Sequence, residues 1–100
     1  MSDDEKVQVN VEYCGTCGHV KQFMDIVQQI QEATPGVEVT GFAGRQASFE
    51  VHVNGELVYS KLQTLAFPDF KETTEMVKGV TEGKPITKII KQQPITCVIS

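Results

Sequence analysis

The sequence predicts one small α/β domain of thioredoxin-like architecture, a mixed four-stranded sheet in the order β-α-β-β-β-α with a C-terminal tail. Three observations carry this reading. A chain of 100 residues is long enough for one core and too short for two. Its apolar residues recur with a period of two, then near 3.6, then two again, then near 3.6. The first change of period falls on Cys14-Gly15-Thr16-Cys17, a pair of thiols placed where a strand passes into a helix.

Residues 6–13 alternate, with Val7, Val9, Val11 and Tyr13 on one face and Lys6, Gln8, Asn10 and Glu12 on the other, the pattern of a half-buried strand. Beyond Gly18, the residues Val20, Phe23, Met24, Val27 and Ile30 recur at steps of three and four and line up as one apolar stripe on a helix. The helix stops before Pro35-Gly36, because proline holds its predecessor in extended conformations and glycine favours the turn. Val37 and Val39 open a second strand, parallel to the first, since a helical crossover of this length joins them. Gly41 and Gly44 are expected to bracket a bend.

Residues 48–54 alternate again, with Phe49, Val51 and Val53 on one side. Asn54-Gly55 then supplies the positive-φ pair of a tight hairpin into Glu56-Leu57-Val58-Tyr59. Phe67-Pro68-Asp69 begins a second helix, where a missing N–H is tolerated, and Phe70, Met76, Val77 and Val80 are its burial face. Gly83 and Pro85 end it. The domain is accordingly residues 1–83 and the tail residues 84–100, with Ile86, Ile89 and Ile90 available for docking and Gln92-Gln93-Pro94 expected to stay off the domain.

Composition narrows the function. With 40% hydrophobic and 22% charged residues the chain is that of an ordinary soluble protein, and its apolar runs fall well short of the roughly 20 residues that span a bilayer. The acidic start, Ser2-Asp3-Asp4-Glu5, leads straight into a strand pattern with neither signal nor transit peptide, so the cytoplasm is expected. A net charge of -4 excludes nucleic acid, which calls for a basic stripe. Three cysteines are an odd number and no disulfide framework for a reducing compartment, so they are read as chemistry.

Cys14 and Cys17 are the candidate catalytic pair. Unpaired N–H groups and the positive end of the helix dipole stabilise a thiolate, Lys21 one turn along adds to this, and at least one thiol is expected to ionise below the ordinary value of about 8.5. A thiolate attacks a disulfide, and its neighbour resolves the mixed disulfide. Gly15 and Gly18 leave room for a bulky partner. The competing reading is half a zinc site, but four ligands are needed and only Cys97, His19 and His52 remain, the last on the polar face of a central strand. No metal is therefore assigned. His19 is taken as an exposed first-turn histidine, not as catalytic. Tyr59-Ser60-Lys61-Leu62 has the shape of a sorting motif, yet Leu57 and Tyr59 alternate on one strand face, so packing is preferred; Phe67 and Phe70 are likewise read as core.

The last four residues, Cys97-Val98-Ile99-Ser100, form a CaaX box, with Cys97 the acceptor of a farnesyl group. Lys84, Lys88 and Lys91 precede it with no acid among them, and a prenyl chain with basic residues is a two-signal anchor for an anionic leaflet. The competing reading is an idle terminal cysteine.

Cys14-Gly15-Thr16-Cys17-Gly18 after the first strand, Ser48-Phe49-Glu50-Val51, Val53-Asn54-Gly55, Leu57-Val58-Tyr59-Ser60-Lys61 and Phe67-Pro68 together resemble the selenoprotein W-like family over about residues 6–82. The resemblance implies a thioredoxin-like redox protein with glutathione or protein thiols as partners and no cofactor beyond glutathione as a co-substrate. The CaaX ending resembles that of a selenium-free, prenylated branch associated with the inner face of the plasma membrane, cell motility and kinase signalling. Selenocysteine in other members falls at the position of Cys17, which implies that Cys17 attacks; the helix-terminus argument alone favours Cys14, and the order stays open. The chain departs from larger thioredoxins in lacking a proline just before its third strand, so their mode of substrate handling does not carry over.

The function expected is a cytosolic thiol-disulfide redox protein, membrane-tethered through Cys97. The alternative is a membrane-anchored signalling adaptor whose dithiol is a regulatory redox switch.

Overall fold

Alternation places Val9 and Val11 of β1 (Gln8–Tyr13) wholly in the interior, and the strand ends at the Cys14 loop. The computed structural model describes residues 7–16 and 18–93, so Cys17, Cys97 and the CaaX box lie outside the described residues. From β1 the chain passes through α1 (Val20–Ala33), β2 (Glu38–Ala43), β3 (Phe49–Val53), β4 (Glu56–Ser60), a single turn α2 (Lys61–Thr64) and α3 (Phe70–Thr81). The strands lie in the order β2-β1-β3-β4, with β1 parallel to β2 and antiparallel to β3, and β3 antiparallel to β4. This is the mixed sheet expected of a thioredoxin-like chain. Among the described residues no helix is long and apolar enough to cross a membrane.

The core gathers Val9, Val11, Phe49, Val51 and Val53 from the central strands against Ile26 and Ile30 of α1 and Phe70 and Val77 of α3. The helical stripe is rotated from the one expected: Ile26 and Ile30 are fully buried with Phe23 packed beside them, while Val20 and Met24 are 42% and 63% exposed. Steps of three and four from Phe23 reach Ile26 and Ile30 as readily as steps from Val20 reach Met24 and Val27. Only contact with the sheet chooses between the two lines.

Gly41 is a second correction. It lies inside β2 and not at a bend, and a Cβ there would fall 2.5 Å from two carbons of the Phe23 ring, so the glycine lets α1 press on the strand. The hairpin is as expected, with Asn54 at φ 51 and Gly55 at φ 86. A bulge follows it: Val51 pairs with Tyr59 and His52 with Leu57, leaving Val58 as the extra residue. Leu57 and Tyr59 therefore do not share a face. Tyr59 is 4% exposed and its hydroxyl donates to the Ala66 carbonyl at 2.7 Å, which accounts for Tyr59-Ser60-Lys61-Leu62 by packing.

Ser60 caps α2 by accepting from the Gln63 amide at 3.2 Å, and Asp69 caps α3 by accepting from Glu72 at 3.2 Å. A single helical turn has no periodicity to read, which is why α2 was not anticipated. Residues 84–93 dock, including the pair expected to stay away. The Ile89 amide donates to Val58 O at 2.9 Å, Lys91 donates to Glu72 Oε1 at 2.7 Å and Gln93 donates to Phe67 O at 2.9 Å. Ile89 is buried, whereas Ile90 is 80% exposed.

Candidate functional site

The loop joining β1 to α1 carries the CxxC segment. Cys14 is 1% exposed, and its sulfur is disulfide-bonded to a partner outside the described residues. A disulfide sulfur has no proton, so the Thr16 hydroxyl donates to Cys14 Sγ, 3.4 Å away. The Cys14 amide donates to Ser48 O at 3.0 Å, which fastens the loop to the residue preceding β3. Where larger thioredoxins place a proline, this chain has Ala47, at φ 67, and Ser48.

His19 is the largest departure from expectation at the site. It is half-buried, its ring meets Phe67 edge-on at 5.0 Å between centroids, and its Nδ1 lies 3.1 Å from the same Ser48 oxygen. A carbonyl only accepts, so Nδ1 carries a proton in this contact. His19 also occupies the N-cap position of α1 without a side-chain capping bond, and no acid lies in the first turn. The helix start thus offers N–H groups and no competing negative charge. Lys21 is exposed in that turn.

Phe67 forms the wall behind His19. It packs edge-on against Phe49 at 5.2 Å, carries the Lys61 ammonium 5.4 Å above its ring, and its carbonyl receives the docked Gln93. The expectation of core packing is right for Phe70, and Phe67 packs against the core while staying partly exposed at the rim of the site.

On the other side of the loop lies a charged cluster that no local sequence pattern announces. Glu12 is 8% exposed and Glu50 2%, and the two stand directly opposite each other on β1 and β3. Arg45 donates to Glu12 through its backbone amide at 2.6 Å, Nε at 3.0 Å and Nη2 at 3.1 Å. Its Nη2 also lies 3.8 Å from Glu50 Oε1. The hydrogen-bonding guanidinium, then the Arg45 amide, hold the Glu12 carboxyl below the usual carboxylate range against the opposing effect of burial. Glu50 Oε2 accepts from the Leu62 amide at 3.1 Å. Glu12 is separated from Cys14 by one residue, but nothing in the sequence pairs it with Arg45. His52 is half-buried in β3, on the face opposite Val51 and Val53, as expected.

The site can therefore do thiol chemistry in a loop whose two ends share one carbonyl. Comparison with known proteins agrees in kind. The Rdx family model matches residues 8–79. Migration and invasion enhancer 1 from Bos taurus and from Mus musculus are each 36% identical over 93 residues, covering 93% of this chain and 80% of theirs. Among solved structures, a selenoprotein W-related protein from Vibrio cholerae superposes with a TM-score of 0.69 at 21% identity, covering 75% of this chain and 96% of its own. A protein from Bordetella parapertussis does so at 0.68 and 19%, covering 75% and 98%. These likenesses establish the thioredoxin-like fold.

Proposed function

Because the chain belongs to the Rdx family of selenoprotein W-like proteins, we propose that it is a thiol-disulfide redox protein using Cys14 and Cys17 on glutathione-linked or protein thiols. The observation that carries this reading is the seat of Cys14: buried, disulfide-bonded and pinned by its amide at a strand-to-helix junction. A sulfur 1% exposed is a poor first attacker on a bulky substrate and a good resolving group. Cys17 is accordingly the attacker. Its thiolate displaces one sulfur of a substrate disulfide, forming a mixed disulfide and releasing the first substrate thiolate. The Cys14 thiolate then attacks the Cys17 sulfur, forming the Cys14–Cys17 disulfide and releasing the second. The substrate gains two electrons and the protein dithiol loses two.

Farnesylation of Cys97 belongs to the same proposal. It would hold the domain at an anionic inner leaflet, with the exposed Lys84, Lys88 and Lys91 adding electrostatic attraction. Signalling proteins at that surface are candidate partners.

The test is oxidation of the full chain in glutathione buffers, followed by alkylation and peptide mass measurement. Cys14 and Cys17 should become protected together and reversibly. Protection of Cys14 together with Cys97, leaving Cys17 alkylated, would overturn the assignment. Catalytic turnover with glutathione separates this function from the adaptor alternative, which needs the disulfide but no turnover.

A further inference from the structure

Two nearly buried carboxylates facing each other across adjacent strands repel, and a cation that reaches both relieves the repulsion. Glu12 and Glu50 are such a pair, and Arg45 spans both. The arginine is 64% exposed in its side chain, so it does not fill the core; what it does is fix its own loop. Three of its groups, one of them the backbone amide, bind the Glu12 carboxylate. Gly44 has no side chain because none would fit: a Cβ there would lie 2.3 Å from Glu12 Cγ. The next contact continues toward the dithiol. Arg45 O accepts the Ser48 amide at 3.2 Å, closing a turn through Ala47 at φ 67, a left-handed conformation that alanine adopts only when its surroundings impose it. Ser48 O then accepts both Cys14 N and His19 Nδ1.

We propose that Glu12 and Arg45 are positioning residues of the redox site: their ion pair sets the turn at residues 44–48 so that Ser48 presents one carbonyl oxygen to both ends of the CxxC loop. This rests on the dithiol reading above. Residue 14 carries one thiol of the pair and residue 19 follows the other by two, and holding both to one oxygen ties the ends of the loop together. Tying the loop ends together should raise the effective concentration of one thiol at the other and so favour the intramolecular disulfide over two free thiols. The Ser48 side chain takes no part in this: among the described residues its hydroxyl is buried without a hydrogen-bond partner.

The experiment equilibrates wild type, Arg45→Lys, Glu12→Gln and Ser48→Ala with glutathione and its disulfide and measures the disulfide fraction by alkylation and mass. In the same samples, melting is recorded and the His19 ring nitrogens are observed by NMR. Arg45→Lys keeps the charge at an exposed position but cannot fork onto a carboxylate, so it separates geometry from folding. We expect both clamp variants to lower the equilibrium constant for disulfide formation by three- to tenfold, tenfold being about 30 mV for a two-electron couple. Ser48→Ala should match wild type. The neutral His19 ring should carry its proton on Nδ1 in wild type and become a tautomer mixture in the clamp variants. Folded clamp variants with wild-type redox equilibrium and wild-type His19 signals would overturn the proposal, as would a shift in Ser48→Ala as large as theirs. If wild type forms no glutathione-reversible disulfide, the redox reading fails by itself, and the His19 signals still decide whether the clamp positions Ser48.

Discussion

Cys14 and His19 are tied to one oxygen atom: the amide of the first and Nδ1 of the second reach the Ser48 carbonyl at 3.0 Å and 3.1 Å. The CxxC loop is thereby closed by the residue that precedes β3, with Cys14 on its inner side. Under the function proposed above, access, more than thiolate stability, sets the order of attack.

Reactivity should follow exposure. In a Cys97→Ser background, Cys14→Ser leaves Cys17 to react with iodoacetamide, and Cys17→Ser leaves Cys14, whose rate should be at least about tenfold lower. Only the first variant should accumulate a mixed disulfide with glutathione. Equal rates in the two variants would mean that the loop opens freely and that burial does not order the chemistry.

The rotated stripe of α1 makes a stability prediction. Ile26 is fully buried, and Ile26→Ala should destabilise by about 2–5 kcal/mol through lost burial and the cavity left behind. Met24 is 63% exposed, and Met24→Ala should change stability by no more than about 0.5 kcal/mol. Urea unfolding of both variants measures this; comparable losses would place the interior face of α1 where the sequence alone had put it.

Alternation at Val7, Val9 and Val11, the Asn54-Gly55 turn and the Pro35-Gly36 break are local signals, and each located its element correctly. The place of Cys14 between a strand and a helix was legible for the same reason, a short motif at a change of period. What stayed hidden depends on register. Whether Phe23 and Ile26 or Val20 and Met24 face the sheet is decided by packing, and the Val58 bulge separates Leu57 from Tyr59 without any mark in their alternation. The Arg45 clamp joins residues 33 positions apart, which no local pattern reports. His19 is expected to be exposed because it stands at the start of the helix, whereas Phe67, its neighbour in space, comes from the far side of the sheet's last hairpin.

Acid should release the clamp. The carboxyl of Glu12 titrates below its ordinary value near 4.5, chiefly through hydrogen bonds from the Arg45 side chain, so the unfolded chain binds the proton more readily than the folded one. Its contribution is therefore fully present above the unfolded value and is lost as pH falls through the depressed folded value. The stability difference between wild type and Glu12→Gln should be constant from neutrality down to about pH 5 and should shrink below about pH 4.5. Denaturant unfolding across that range is the measurement, and parallel pH profiles for the two proteins would show that Glu12 is not held ionised by Arg45.

Docking of residues 84–93 changes what a lipid on Cys97 would do. Gln93 is bonded to the Phe67 carbonyl, the Phe67 ring meets His19, and the four residues from Gln93 to Cys97 reach at most about 14 Å when extended. A prenyl group there would hold the rim of the dithiol site close to the bilayer. The contacts that dock Lys84 and Lys91 are made by backbone groups, to Gly79 O for the first and to Glu72 and Asp69 for the second, so their ammonium groups can be replaced without undocking the segment. One prenyl chain gives only reversible attachment, to which each basic residue near an anionic surface adds about 1 kcal/mol. Cys97→Ser should therefore move the protein from the membrane to the soluble fraction of cells while leaving its glutathione equilibrium unchanged. Replacing Lys84, Lys88 and Lys91 together by glutamine should weaken binding of the prenylated protein to anionic vesicles at low salt and leave binding to neutral vesicles as it was. Equal membrane content for wild type and Cys97→Ser would show that the CaaX box is idle, and a changed redox equilibrium in Cys97→Ser would show that the terminal cysteine takes part in the dithiol chemistry after all.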